Sequence, residues 1–258
     1  MSLQAILKRD RVLVLAGLGG ATALAWTYLL TMATGMEQMP DALGEAMLTP
    51  RMEPWRAVDF VLMFVMWAVM MIGMMLPGAA PMILLFTTVT RQRPEAIHTV
   101  RRSWTFVAGY VLAWSGFSAL ATLLQWALDR AGLMSPMMAS SSAAVGALAL
   151  LAAGTYQWTP LKRRCLTHCQ SPFAFLTHHW RPGLLGAFRM GVSHGLYCLG
   201  CCWLLMGLLF VVGIMNLIWI AALAAFILVE KAYPAPWVPR AAGAALVVWA
   251  LAVLAGHY

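Results

Sequence analysis

Charge is what this chain has least of. Lys and Arg number 17 and Asp and Glu only 9, so charged residues make up 10% of 258 positions against 62% apolar, with a mean hydropathy of +0.78. A soluble domain carries about a quarter charged residues, so that class is excluded. The chain also lacks a nucleotide-binding loop and any nucleic-acid motif. Cysteine is sparse and odd in number, at five, and three of the five crowd into Cys198 to Cys202. Helical geometry there argues against a structural disulfide network and for free thiols.

What is present is a succession of apolar runs of bilayer length, at about 20 residues per helix. The sequence predicts an all-α polytopic transmembrane helix bundle of about seven spans, forming a single integral-membrane domain over residues 1–258. Lys8, Arg9 and Arg11 precede a first span, Val12 to about Thr34, too long for a signal-peptide core. The second run, from Ala57 to Thr90, contains Leu76-Pro77-Gly78-Ala79-Ala80-Pro81, and proline removes a backbone donor. This predicts a Pro-kinked second span hinged near Pro77. Later spans are expected at Ser103 to Leu128, Ala143 to Trp158, Gly183 to Gly213, Met215 to Val229 and Ala241 to Ala255. Basic loops follow spans two, four and six. The positive-inside rule then places the amino terminus in the cytoplasm, of a bacterial inner membrane in this reading.

Inside the fifth run lies MGVSHGLYCLGCCWLLM, Met190 to Met206. Each helical residue advances about 100°, so His194, Cys198, Cys201 and Cys202 share roughly a quarter of the circumference. Imidazole and thiol groups gathered on one face of a membrane segment point to metal or redox chemistry. A buried cysteine is also a small hydrophobe, and a lone histidine a packing residue.

Methionine is the second signal. None of the 19 lies between Met82 and Met134 or between Met138 and Met190, so both strongly basic loops lack it. The first loop holds Met36, Met39, Met47 and Met52, and a later one Met134, Met137 and Met138. On the second span Met63, Met66, Met70 and Met74 form one helical stripe, and Met71 and Met75 another. Thioether sulfur is soft, needs no deprotonation and forms no disulfide, which suits Cu(I) on an oxidising side. The alternatives are interhelical packing for the stripe and contact with the bilayer surface for the loop methionines.

The basic loop from Thr159 to Pro182 carries Cys165, His168 and Cys169 at spacing i, i+3, i+4, with His178 and His179 beyond. A helix after Pro160 would put the first three on one face, and Pro172 would end it. Zinc is a possible occupant of this loop, although the spacing matches no strong zinc pattern. Intramembrane acid is confined to Asp59 and Glu230, the latter beside Lys231 as a terminal ion pair.

With these residues in hand, the sequence resembles the DUF2182 family of integral membrane proteins predicted to bind metal. The resemblance is carried by MWAVMMIGMMLPGAAPM at Met66 to Met82, TYQWTPLKRRCLTHCQSP at Thr155 to Pro172, and the block from Ser193 to Lys231. It implies a metal held by Met70, Met74, His194, Cys198, Cys201 and Cys202. Gly78 stands where the family's motif has serine.

The expected function is a membrane metal-binding protein handling Cu(I), by transport, acquisition or delivery. Its ligands are Met66, Met70 and Met74, His194 with Cys198, Cys201 and Cys202, and Cys165 with Cys169. Its partners are the lipid bilayer and a copper chaperone or copper enzyme, with no nucleic acid. Two alternatives stay open: a membrane thiol-disulfide oxidoreductase using Cys198-Leu199-Gly200-Cys201 as a CxxC couple, and a structural subunit of a membrane complex.

Overall fold

A computed structural model describes residues 3–37, 55–93, 98–134 and 142–256. Its helices are α1 (Leu3–Glu37), α2 (Ala57–Arg91), α3 (Thr99–Arg130), α4 (Ala143–Tyr156), α5 (Pro160–Gln170), α6 (Pro172–His179), α7 (Gly183–Gly207), α8 (Leu209–Val212), α9 (Leu217–Ala232) and α10 (Trp237–Leu254). Five of these segments are long and apolar enough to cross a membrane: Arg9–Gly35, Ala57–Arg91, Thr99–Arg130, Gly183–Val212 and Trp237–Leu254. The other two expected spans are shorter, 14 residues in α4 and 16 in α9. At 1.5 Å per residue α4 covers about 21 Å, less than the hydrocarbon core of about 30 Å.

The second span is one helix, α2, with Pro77 and Pro81 inside it, as expected of a single proline-containing span. Pro77 has no N–H to give the carbonyl of Gly73, four residues earlier, and Trp26 Nε1 of α1 donates to that oxygen instead at 3.2 Å. The proline is thus satisfied by a neighbouring helix, as membrane bundles require.

The core lies between α2, α3 and α7. The face of α7 that meets α3 presents Gly191 and Gly195. A Cβ on Gly191 would fall 2.0 Å from the Phe106 carbonyl oxygen, and one on Gly109 of α3 only 2.2 Å from that of Phe188. Two helices approaching this closely need small residues four apart, the small-xxx-small device of membrane helix pairs. The approach sets Tyr110 of α3 against Cys198 of α7.

The basic loop folds back against α7 as α5 and α6. Pro160 opens α5 at its first turn with Thr159 capping, and Pro172 opens α6 at its first turn without a side-chain cap. The expected helix after Pro160 is therefore present and ends before Pro172. Lys162 Nζ donates to Glu230 Oε2 at 2.9 Å, and Gln170 Nε2 to the Glu230 carbonyl at 2.8 Å, tying α5 to the end of α9. Elsewhere, α1 is clasped to α2 by Asp10, which pairs with Arg91 through both Nε, at 2.6 Å, and Nη2.

Candidate metal centre

All five cysteines are free and buried. On α7 the thiols of Cys201 and Cys202 each donate to the Cys198 carbonyl at 3.0 Å, which turns both sulfurs back toward Cys198. Cys198 Sγ accepts from Lys231 Nζ at 3.0 Å and lies 3.1 Å from the Tyr110 hydroxyl. That hydroxyl is also 3.1 Å from the Met75 carbonyl oxygen, its acceptor on α2. Cys202 Sγ is 4.0 Å from Met75 Sδ, the point where the thiol helix meets the methionine helix.

The loop cysteines belong to the same cluster. The proximity of Cys198 and Cys201, with burial, holds the Cys169 thiol well above the usual range. Burial raises Cys165 as well, assisted by the charge of Cys201. Cys165 packs on the backbone of α7 at Gly200, where an added Cβ would lie 2.7 Å from its sulfur. The loop was expected to offer a separate site closed by His178 and His179, with zinc as a candidate. Instead Cys165 and Cys169 turn to α7, while His178 is exposed and the Nδ1 of His179 faces the Phe175 carbonyl at 3.2 Å.

His194 is 2% exposed, between the rings of Phe106, Tyr110 and Phe175 at centroid distances of 6.1, 5.8 and 5.3 Å. Its Nδ1 has no hydrogen-bond partner among the described residues. It sits one turn before Cys198 on the same face of α7. Met66, Met70, Met71, Met74 and Met75 are all buried in the core of α2. Met63, on the stripe with Met66, Met70 and Met74, receives Gln125 Nε2 of α3 at 3.5 Å. The stripe that reaches the thiols is the other one, through Met75.

Three groups at the site escaped the sequence reading. Tyr110 carried no signal there. Met75 was placed on a stripe, but without a ligand role. Lys231 was assigned to Glu230, whereas Glu230 pairs with Lys162 at 2.7 Å, with both side chains 1% exposed. A buried lysine next to an acid already matched elsewhere was not visible without the fold. Asp59 caps its own helix by accepting from the Arg56 N–H at 2.8 Å. The loop methionines Met39, Met47, Met52, Met137 and Met138, together with the Met36 side chain, lie outside the described residues.

Among the described residues, no three His, Cys, Asp or Glu side chains converge closely enough to enclose one ion. That disfavours a preformed tetrahedral zinc site, which needs four donors. It leaves room for the two soft donors that suffice for Cu(I), and the thiol and thioether chemistry fits that ion. No curated protein and no solved structure matches the chain. A family model does, over residues 64–253; its name, PpoB2, differs from that of the DUF2182 resemblance, and its description, copper chaperone, agrees with the copper expected from the sulfur-rich segments. With apolar helices of membrane length and a buried sulfur cluster inside the matched region, this chain belongs to the copper chaperone family PpoB2.

Proposed function

We propose that this protein is a single-domain membrane chaperone for Cu(I), in which the ion passes from the methionines of α2 to the thiols of α7 and on to Cys165 and Cys169 of α5. The observation that carries the reading is the continuity of sulfur. Met75 meets Cys202 at 4.0 Å, the thiols of Cys202 and Cys201 turn back to the Cys198 carbonyl, and Cys169 and Cys165 lie against α7 beside them. Soft ions exchange between such donors by adding one ligand before losing another, so a row of weak and strong sulfur sites serves transfer better than a closed cage. His194, with its unpartnered Nδ1, supplies a nitrogen one turn away.

In this reading the amino terminus is cytoplasmic, in a bacterial inner membrane. α5, with Arg163 and Arg164 exposed beside the thiols, is the face at which a copper enzyme or a second chaperone collects the ion. The test is metal analysis of detergent-purified protein after loading with Cu(I) under reducing conditions. Wild type is expected to retain copper in stoichiometric amount, the Cys198→Ser/Cys201→Ser variant to lose it, and Cys165→Ser/Cys169→Ser to load but fail to hand copper to an acceptor chelator. Equal retention by wild type and the Cys198→Ser/Cys201→Ser variant would overturn the proposal.

A further inference from the structure

The thiol cluster contains a built-in cation. Lys231 Nζ is 3.0 Å from Cys198 Sγ, and the residue is 8% exposed. Gly78 of α2 makes space for it, since a Cβ there would stand 3.2 Å from both Nζ and Cδ. Glu230, adjacent in sequence, is held by Lys162, and among the described residues no carboxylate forms an ion pair with Lys231. An ammonium buried in the bundle needs an anion, and the sulfur of Cys198 is the group placed to provide one.

We infer that Lys231 sets the valence of the ion this site accepts: its fixed charge makes a two-thiolate seat neutral with a monovalent soft cation and leaves it positive with a divalent one. This rests on the reading of the cluster as a Cu(I) seat. Lys162 and Glu230 cancel. Two thiolates carry two negative charges, so a monovalent ion between them leaves one, which Lys231 neutralises. A divalent ion cancels both thiolates and strands the ammonium in apolar surroundings, where an uncompensated charge is costly. Adding a third thiolate would restore neutrality for the divalent ion, but among the described residues no three such donors converge on one point. Discrimination by charge and by donor number therefore act together. Lys231 is a specificity residue that never touches the ion.

The test is competition between Ag(I), a monovalent soft probe that does not change oxidation state, and Zn(II), on the full chain in lipid nanodiscs. Wild type and Lys231→Arg, which keeps the charge, are expected to share one silver-to-zinc affinity ratio. Lys231→Met and Lys231→Gln should move that ratio toward zinc by about tenfold or more. Gly78→Ala keeps the lysine but presses on its head group, and should shift the ratio the same way by a smaller factor. It carries the test should the neutral variants fail to fold. An unchanged ratio in every folded variant overturns the inference. Failure of the underlying site reading has a different signature: wild type then shows no silver binding that Cys198→Ser removes.

Discussion

The two sulfur-bearing layers of the bundle are built by opposite rules. The methionines of α2 lie in a seam where the polar accompaniment is amide and indole: Gln125 donates to Met63 and accepts from Trp67 Nε1 at 2.8 Å. The cysteines lie among Lys231, Lys162, Glu230 and Tyr110. A thioether is neutral with or without a metal and needs no countercharge, so it can be placed anywhere in an apolar core. A thiol that loses its proton creates a charge, and the surrounding bundle must supply the opposite one in advance. The sulfur oxidation state is the same in both layers; the electrostatic framework around it is not.

The comparison can be broken by attacking each framework in turn. Lys162→Met leaves Glu230 buried without its ion pair and should cost about 3–5 kcal/mol, read by denaturant-induced unfolding in detergent. The matching change in the methionine layer, Gln125→Leu, strands the Trp67 N–H but no buried charge and should cost about 1–3 kcal/mol in the same assay. Equal losses from the two would erase the proposed difference between the layers. Met75→Leu conserves volume and should cost less than about 1.5 kcal/mol, yet slow the appearance of copper at the thiols. Unaltered loading kinetics would remove Met75 from the route.

The smallest effect concerns pH. Cys165 and Cys169 are held above the ordinary thiol range, so both are protonated at neutral pH and only their thiolates react. Maleimide labelling of a chain keeping only these two should therefore lag a free cysteine at neutral pH and catch up only in more alkaline solution. Labelling that follows the profile of free cysteine would show that the loop thiols are not gathered into the buried layer.

Much of this arrangement was legible in the sequence because it is local. Helical spacing put His194, Cys198, Cys201 and Cys202 on one buried face, and the Pro160 to Pro172 interval gave the loop helix with Cys165 and Cys169 on one side. What stayed hidden depends on contacts between distant segments. Lys231 beside Glu230 reads as an ion pair until the fold brings Lys162, 68 positions away, to the acid. How α2 accommodates its proline is hidden for the same reason, since the carbonyl freed by Pro77 is satisfied by Trp26 of another helix. The choice between methionine stripes was also nonlocal: Met75 differs from Met74 only in which neighbour its direction meets.

The modest reach of α4 has a consequence for the lipid rather than the protein. Its partner α10, at 18 residues, is itself only about 27 Å long, so one flank of the bundle presents a narrow apolar belt. Acyl chains against that flank must compress to avoid exposing hydrocarbon to water, and the headgroups sink with them. α5 follows α4 directly, at Pro160, so a bilayer thinned on that flank would bring aqueous ions nearer to Cys165 and Cys169.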